Sequence, residues 1–320
     1  MILTIANSQT DKYFSSVFDL FRQRGREPIL FCADKCLEGE TISLSIQNNR
    51  YRYYAVIDGK EIDLSRIDAV WYLKPHLPKK LRTFDPPEHR EFIRRQFLAT
   101  WQSLFDVLRD KRWVSPHWNV VRAENKILQL RIASNAGLEL PETLISSDPS
   151  KIEAFWEYCN REMIVKMVSA SPIENHVIFT NRVSESHMAS IDTARYAPSI
   201  FQRYIPKAYE LRIIVVGGKV FVAQIKSQEG ETTKTDWRVY NKTKEKIQMV
   251  ADKLPSNIKQ KCLSVVEQLG LRFGCIDMIV TPGGRYVFLE INPNGQWFFI
   301  QEATGLPIGE VIVDLLCGTL

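Results

Sequence analysis

Two apolar runs near the carboxyl end, FGCIDMIV (273–280) and RYVFLEIN (285–292), flank Pro282-Gly283-Gly284, and each is interrupted by a carboxylate. Both runs read as strands, and the Pro-Gly-Gly turn between them predicts a hairpin. Asp277 lies five residues before the turn and Glu290 six residues after it, so a simple hairpin sets the two nearly opposite each other. Glu290 and Asn292 are two apart and leave the same face of their strand. Three oxygen donors then converge. Hard donors of this kind suit Mg²⁺, which takes one or two carboxylates and completes its shell with water and nucleotide phosphates. A charged pair on a solvated sheet face is the alternative. The apolar flanks, however, make an unpaired carboxylate costly to bury, and a bound cation removes that cost.

The first third of the chain alternates strand and helix signals: ILTIA (2–6), an amphipathic stretch from Tyr13 to Arg24 stopped by Gly25, then PILFC (28–32). TISLSI (41–46) and YRYYAVI (51–57), separated by Asn48-Asn49 and followed by Asp58-Gly59, predict a hairpin with a second turn after it. AVWYL (69–73) predicts a strand, and 87–110 a long helix carrying Phe92, Phe97, Leu98, Trp101, Leu104, Phe105 and Leu108 on helical spacing. Residues 1–115 are expected to form one α/β domain.

A second domain is expected over 116–198: a helix at 122–136 ended by Gly137, a strand at 140–146, a helix opened by Asp148-Pro149, and the strand MIVKMV (163–168). The polar stretch 170–199 predicts a short strand at 177–180 and a helix over 185–196. The third domain, 199–320, begins with SIFQRYI (199–205), then ELRIIVV (210–216) and KVFVAQIK (219–226) about Gly217-Gly218, a hairpin signal. Helical segments at 243–253 and 256–269 precede the carboxylate hairpin. The fold class is α/β with α+β character.

Forty-two Lys+Arg against 37 Asp+Glu leave a dispersed +5, which gives no footprint for nucleic acid. No apolar run approaches the ~20 residues of a membrane helix. The expected location is the cytoplasm. Six cysteines form no CxxC pair and no cluster with zinc spacing, so they read as free thiols. The five histidines are dispersed and form no pair at ligand spacing. Walker, Rossmann, GxSxG and HExxH motifs are absent from the sequence.

Lys166 interrupts an apolar strand and wants an anion, either a phosphate or a buried carboxylate. Lys126 opens the stretch KILQLRIA, Arg212 and Lys226 lie on the hairpin about Gly217-Gly218, and Arg238 follows in the DWR triplet. Each of Arg212 and Lys226 taken singly also fits a surface-facing position. Together they form a basic counterpart to the carboxylates. Trp297 either lines an acceptor pocket or packs under the last helix.

In this order Lys126, Lys166, FQRYI (201–205), ELR (210–212), IK (225–226), DWR (236–238), Asp277 and EINPNGQW (290–297) resemble the ATP-grasp ligases, from about residue 115 to the end. VWYLKP (70–75) and EINPNGQW followed by TGLPI (304–308) are similar to the RimK-related microviridin or graspetide synthetases within that superfamily. The resemblance implies an ATP-grasp fold in which an N-terminal α/β domain precedes central and C-terminal domains that clamp ATP. It implies that Asp277, Glu290 and Asn292 hold Mg²⁺ while Lys126, Lys166 and Lys226 hold phosphates. It places the adenine on the backbone around Gln202, Arg203 and Ile205, and the ribose by Glu210. Arg203 stands where related ligases often have Glu. Arg212 and Arg238 would face the transferred phosphoryl group as catalytic cations.

The resemblance further implies an ADP-forming ligase that converts Asp or Glu side chains of a ribosomal precursor peptide to acyl phosphates. Ser/Thr or Lys side chains then close ester or amide macrocycles. A leader and core peptide is the expected partner, with 170–197 as a lid and docking element and a homodimer as the expected assembly. Two alternatives remain: a RimK-like ligase adding free amino acids to a carboxylate, and a non-catalytic nucleotide-dependent peptide binder.

Overall fold

The computed structural model describes residues 1–8, 11–169, 180–230, 237 and 247–320. Its amino-terminal lobe contains strands β1 (Ile2–Ala6), β2 (Pro28–Cys32), β3 (Thr41–Gln47), β4 (Arg50–Ile57), β5 (Lys60–Asp63), β6 (Ala69–Tyr72) and β7 (Arg112–Trp113). β1 pairs in parallel with β2 and β6, giving a sheet ordered β2-β1-β6-β7. Such strands are buried on both faces, which is why ILTIA is apolar throughout. Ile2 and Ala6 pack with Val17 and Phe21 of the helix Asp11–Gln23, while Leu3 and Ile5 pack with Trp101, Leu104 and Phe105 of the helix Glu88–Val107. The meander β3-β4-β5 turns at Asn48-Asn49, with φ of 50° and 58°, the paired positive angles of a tight hairpin.

Glu40 enters β3 from the end of β2 and is 4% exposed. Its Oε2 accepts from Cys32 N at 2.5 Å. Burial pushes the carboxyl up from an ordinary 4.5 to about 7.

The remainder supplies two further sheets. β8 (Thr143–Ser146), β9 (Met163–Met167), β10 (Asn181–Arg182) and β11 (Ser199–Arg203) form one, ordered β10-β9-β11-β8. β12 (Tyr209–Val216), β13 (Lys219–Ile225), β14 (Met249–Asp252), β15 (Phe273–Val280) and β16 (Tyr286–Asn292) form the other, antiparallel and ordered β14-β13-β12-β15-β16. One face of this larger sheet packs with the helices Phe298–Thr304 and Ile308–Cys317 and with the amino-terminal lobe. The opposite face packs with the helices Lys126–Asn135 and Ser256–Gln268. No described helix is long and apolar enough to cross a membrane, and all six cysteines are free.

Several elements differ from the sequence expectation for local reasons. The helix expected at 122–136 is two, His117–Ala123 and Lys126–Asn135, because Asn125 caps the second by accepting from Leu128 N at 3.0 Å. Residues 249–252 are strand β14 rather than helix, since MVAD finds ladder partners along β13; 243–246 lie outside the described residues. The helix expected at 185–196 is one α-turn, Glu185–Met188, followed by the 3₁₀ segment Ile191–Tyr196. The strand expected at 177–180 falls outside the described residues but for Thr180. SIFQR pairs with β8 and β9, so the strand pairing divides the chain after Arg203 and not at 198/199.

Between pH 4.5 and 7 the folded protein keeps a proton on Glu40 that the unfolded chain has shed, so stability falls as pH rises through this window. Glu40→Gln retains an acceptor for Cys32 N and has no proton to lose. It is expected to flatten that part of the Tm–pH curve and to raise Tm above pH 7; parallel curves for the two proteins would exclude Glu40 as the source.

Candidate active site

The hairpin register is Asp277↔Glu290 and Cys275↔Asn292, with a bulge next to Asp277. On the other side of β15, Arg212 is the cross-strand partner of Asp277. Residues directly opposite share a face, so Arg212, Asp277, Glu290 and Asn292 emerge together. The Arg212 guanidinium is 6% exposed. Its Nη1 donates to both carboxylate oxygens of Asp277 at 2.9 Å, and Nη2 donates to Gln296 O at 2.9 Å. Burial opposes its charge, but the Asp277 carboxylate more than offsets this and holds the group above its ordinary range. Asn292 Nδ2 bridges Asp277 Oδ2 at 2.9 Å and Glu290 Oε1 at 3.1 Å.

Lys126 Nζ donates to Glu290 Oε2 at 2.7 Å from the first turn of its helix. That helix is keyed to β16 by Gln129, a buried amide which accepts from Ile291 N at 3.1 Å and donates to Ala123 O at 2.6 Å. Two carboxylates are therefore held between two cations. The carboxylate oxygens of Asp277 and Glu290 are hard donors, and the Asn292 amide, which here turns its Nδ2 toward them, would offer its oxygen to a cation on rotation, a set that fits Mg²⁺ and not a thiophilic ion. The neighbouring Cys275 thiol is pushed up to about 11 by burial and stays protonated. Among the described residues no cluster of three His, Cys, Asp or Glu forms a metal site of another kind.

A cleft runs from this cluster to the β8–β11 sheet. Lys166, Gln202, Arg203, Ile205 and Glu210 line it together with Lys126, Asp277, Glu290 and Asn292. Gln202 Nε2 donates to Thr143 Oγ1 at 2.9 Å, while its Oε1 is buried with no hydrogen-bond partner among the described residues. Glu210 is 8% exposed and pairs with Lys207 at 2.6 Å. Burial pushes the Glu210 carboxyl up, and Lys207 opposes the shift. The Arg203 side chain is already engaged, paired with Glu142 at 3.0 Å and donating to Tyr158 O at 2.9 Å.

Lys226 is not brought to the cleft wall: its Nζ donates to Gln248 Oε1 at 2.7 Å, because it lies one residue past the end of β13. Arg238 lies outside the described residues. Trp297 is 4% exposed and packs against Gly309, so the packing alternative for it holds. Sequence reasoning missed Gln129 and Lys207, and it named Trp237 only as part of the DWR triplet; its ring lies tilted against Phe299 at the cleft margin. Of the two missed, only Lys207 carried a signal, a lysine three residues before Glu210 in a short loop.

A RimK-like ATP-grasp domain model matches residues 123–316, and an MvdD pre-ATP grasp domain model matches residues 1–121. The chain belongs to the RimK-like ATP-grasp family. Members of that family are ADP-forming ligases that use ATP and Mg²⁺. Among solved structures, macrocyclase MdnC bound with precursor peptide MdnA, from Microcystis aeruginosa MRC, is 28% identical with a TM-score of 0.87, covering 99% of both chains. A RiPP-associated ATP-grasp ligase from Chryseobacterium gregarium, in complex with ADP and a leader and core peptide, is 28% identical with a TM-score of 0.88, over 100% of this chain and 97% of that one. Human N-acetylaspartylglutamate synthase A is 25% identical over 210 residues, 63% of this chain and 51% of that protein. The match thus spans about half the length of that curated relative.

Gly295 permits the loop after Asn292 to close on Arg212: a Cβ there would meet Arg212 Nη2 and Cys275 Cβ, each at 2.6 Å. Gly295→Ala is expected to move Arg212 off Asp277 and to weaken Mg²⁺-dependent ATP binding about tenfold or more. Gly283→Ala, where a Cβ meets only Thr281 Oγ1 at 3.9 Å, serves as the control. Titration of a fluorescent ATP analogue distinguishes them, and equal affinities would show that the close approach is dispensable.

Proposed function

We propose that the chain is an ATP-dependent carboxylate ligase that macrocyclises a ribosomal precursor peptide in the cytoplasm, working as a homodimer. The observation that carries this reading is the opposed Asp277–Glu290 pair with Asn292, neutralised by Arg212 and Lys126 at one end of the cleft. Full-length similarity to peptide macrocyclases and the amino-terminal match to the MvdD model favour a peptide over a free amino acid as the substrate. The free cysteines suit a reducing compartment.

Asp277, Glu290 and Asn292 would hold Mg²⁺, which when bound neutralises phosphate charge. Lys126 and Lys166 would bind the triphosphate. The backbone about Gln202, Arg203 and Ile205 would orient the adenine, and Glu210 the ribose. A carboxylate is a poor electrophile because its charge is delocalised and oxide is a poor leaving group. Attack of an Asp or Glu carboxylate oxygen on the γ-phosphorus releases ADP and leaves an acyl phosphate. Attack of a Ser/Thr hydroxyl or Lys amine on the acyl carbon then expels phosphate and loses the proton of the attacking group. Positioning and charge neutralisation would supply the catalysis, and Arg212 would be a fixed cation for the developing negative charge. Arg238 would be a second cation for the same purpose. Segment 170–197 would serve as a lid and dock the precursor peptide, and residues 184–197 of it are the part to remove. Their deletion should weaken precursor binding and spare nucleotide binding.

The deciding experiment incubates the protein with ATP, Mg²⁺ and each short peptide encoded beside its gene. Each ring removes one water, about 18 Da, and releases one ADP. Glu290→Gln is expected to abolish both signals. Mass gain from an added amino acid would favour the RimK-like alternative, and nucleotide-dependent peptide binding without ADP release would favour a non-catalytic binder. Light scattering on the purified protein tests the homodimer.

A further inference from the structure

At the carboxyl end of β6 the chain leaves the parallel sheet through Leu73-Lys74-Pro75-His76. The segment is pinned on several sides. Leu73 N donates to Ile5 O at 3.0 Å, His76 N to Asn7 Oδ1 at 2.9 Å, and Asn294 Nδ2 to Tyr72 O at 3.1 Å. Between these anchors Lys74 adopts a φ of 54°. Left-handed backbone is costly for a residue with a long side chain, and the following proline restricts the same residue further. Such a conformation persists where the surroundings over-determine it, and it clusters at functional sites.

The pinned turn brings Lys74 to the other half of the molecule. Its Nζ reaches Glu124 Oε1 at 2.5 Å. Glu124 stands two residues before Lys126, whose ammonium holds Glu290, and the Asn294 that anchors Tyr72 stands two residues after Asn292. A cation from the amino-terminal lobe is thereby set beside the residues that lead into the donor cluster. The crevice outside the carboxyl ends of parallel strands is also where α/β sheets present their ligand-binding loops.

Lys74 differs from the other cations here in its freedom. Arg212 and Lys126 are 6% and 19% exposed and locked onto Asp277 and Glu290. The Lys74 and Glu124 side chains are 52% and 38% exposed, and the buried Glu124 Oε1 that faces Lys74 makes no hydrogen bond among the described residues, so another carboxylate can replace the pairing. A substrate carboxylate approaching a triphosphate meets like charge, and a rim cation offsets that repulsion.

We propose that Lys74 receives the carboxylate of the peptide side chain to be activated, and that Glu124 holds its place in the free protein. Lys74 is thus a specificity-determining residue for acidic side chains, contributed by the amino-terminal lobe. This inference rests on the ligase reading above.

The test uses the full-length protein, ATP, Mg²⁺ and a gene-neighbour peptide that the parent protein dehydrates. Lys74→Met and Lys74→Gly are both made, the second relieving the positive φ so that folding does not confound the result. Each is expected to raise the KM for the peptide about tenfold or more while the KM for ATP stays within about twofold. Glu124→Gln should leave the peptide KM unchanged or lower it, since it removes only the competitor. Lys74→Arg should restore most of the affinity. If the parent converts no peptide, the ligase reading itself fails. If the parent converts the peptide and the Lys74 variants share its KM, or if Glu124→Gln raises KM as Lys74→Met does, the role of Lys74 is overturned.

Discussion

The arrangement depends on one constraint: a guanidinium cannot remain charged inside a sheet without an anion against it. Arg212 lies in the middle of β12, almost wholly buried, and Asp277 on the adjacent strand is its answer. Removing one member of such a pair typically costs about 3–5 kcal/mol, because the other is left charged and dry. The alternation then continues outward through Asn292, Glu290 and Lys126. Each link draws on a different segment, so β12, β15, β16 and the helix Lys126–Asn135 are fixed relative to one another by charge as well as by packing. In the reading proposed above, the cluster would have its charges in place before a cation and a polyanion arrive, which is what electrostatic preorganisation requires.

Much of this could be read before the fold was known, and the reason is local. Period-two alternation and a Pro-Gly-Gly turn are short-range signals, and together they set Asp277 opposite Glu290 with no knowledge of the rest of the chain. The same reasoning found the hairpins at Asn48-Asn49 and Gly217-Gly218. It failed where tertiary pairing decided. MVAD became a strand only because β13 offered an edge, and SIFQR joined the sheet of β8 and β9, although the sequence continues directly into β12. Gln129 could not have been found at all, since an amide in a helix shows its purpose only when a strand 162 residues away presents Ile291 N. Lys226 fell one residue beyond its strand and so left the cleft, a displacement smaller than the precision of element boundaries read from sequence.

The amino-terminal lobe is integrated with the site rather than appended to it. Asn294 donates to Tyr72 O and thereby ties the loop after Asn292 to the end of β6. The helix Asp11–Gln23 packs within the same apolar cluster as the helix Ile308–Cys317, and Arg24 pairs with Asp314 at 2.6 Å. The lobe therefore has little freedom to move independently of β16.

Magnitudes separate the charges of this molecule into two kinds. Ion pairs such as Arg212–Asp277 are buried, mutually desolvated and expensive to open, so they set geometry. Pairs such as Lys74–Glu124 are half exposed and worth about 0–1 kcal/mol, too little to hold a strained backbone in place. The strain at Lys74 must therefore be held by the hydrogen bonds around it, to Leu73, His76 and Tyr72, with the ion pair as a passenger. An ammonium whose position is fixed by its backbone and whose partner is easily displaced is poorly suited to stabilising a fold and well suited to meeting an incoming anion.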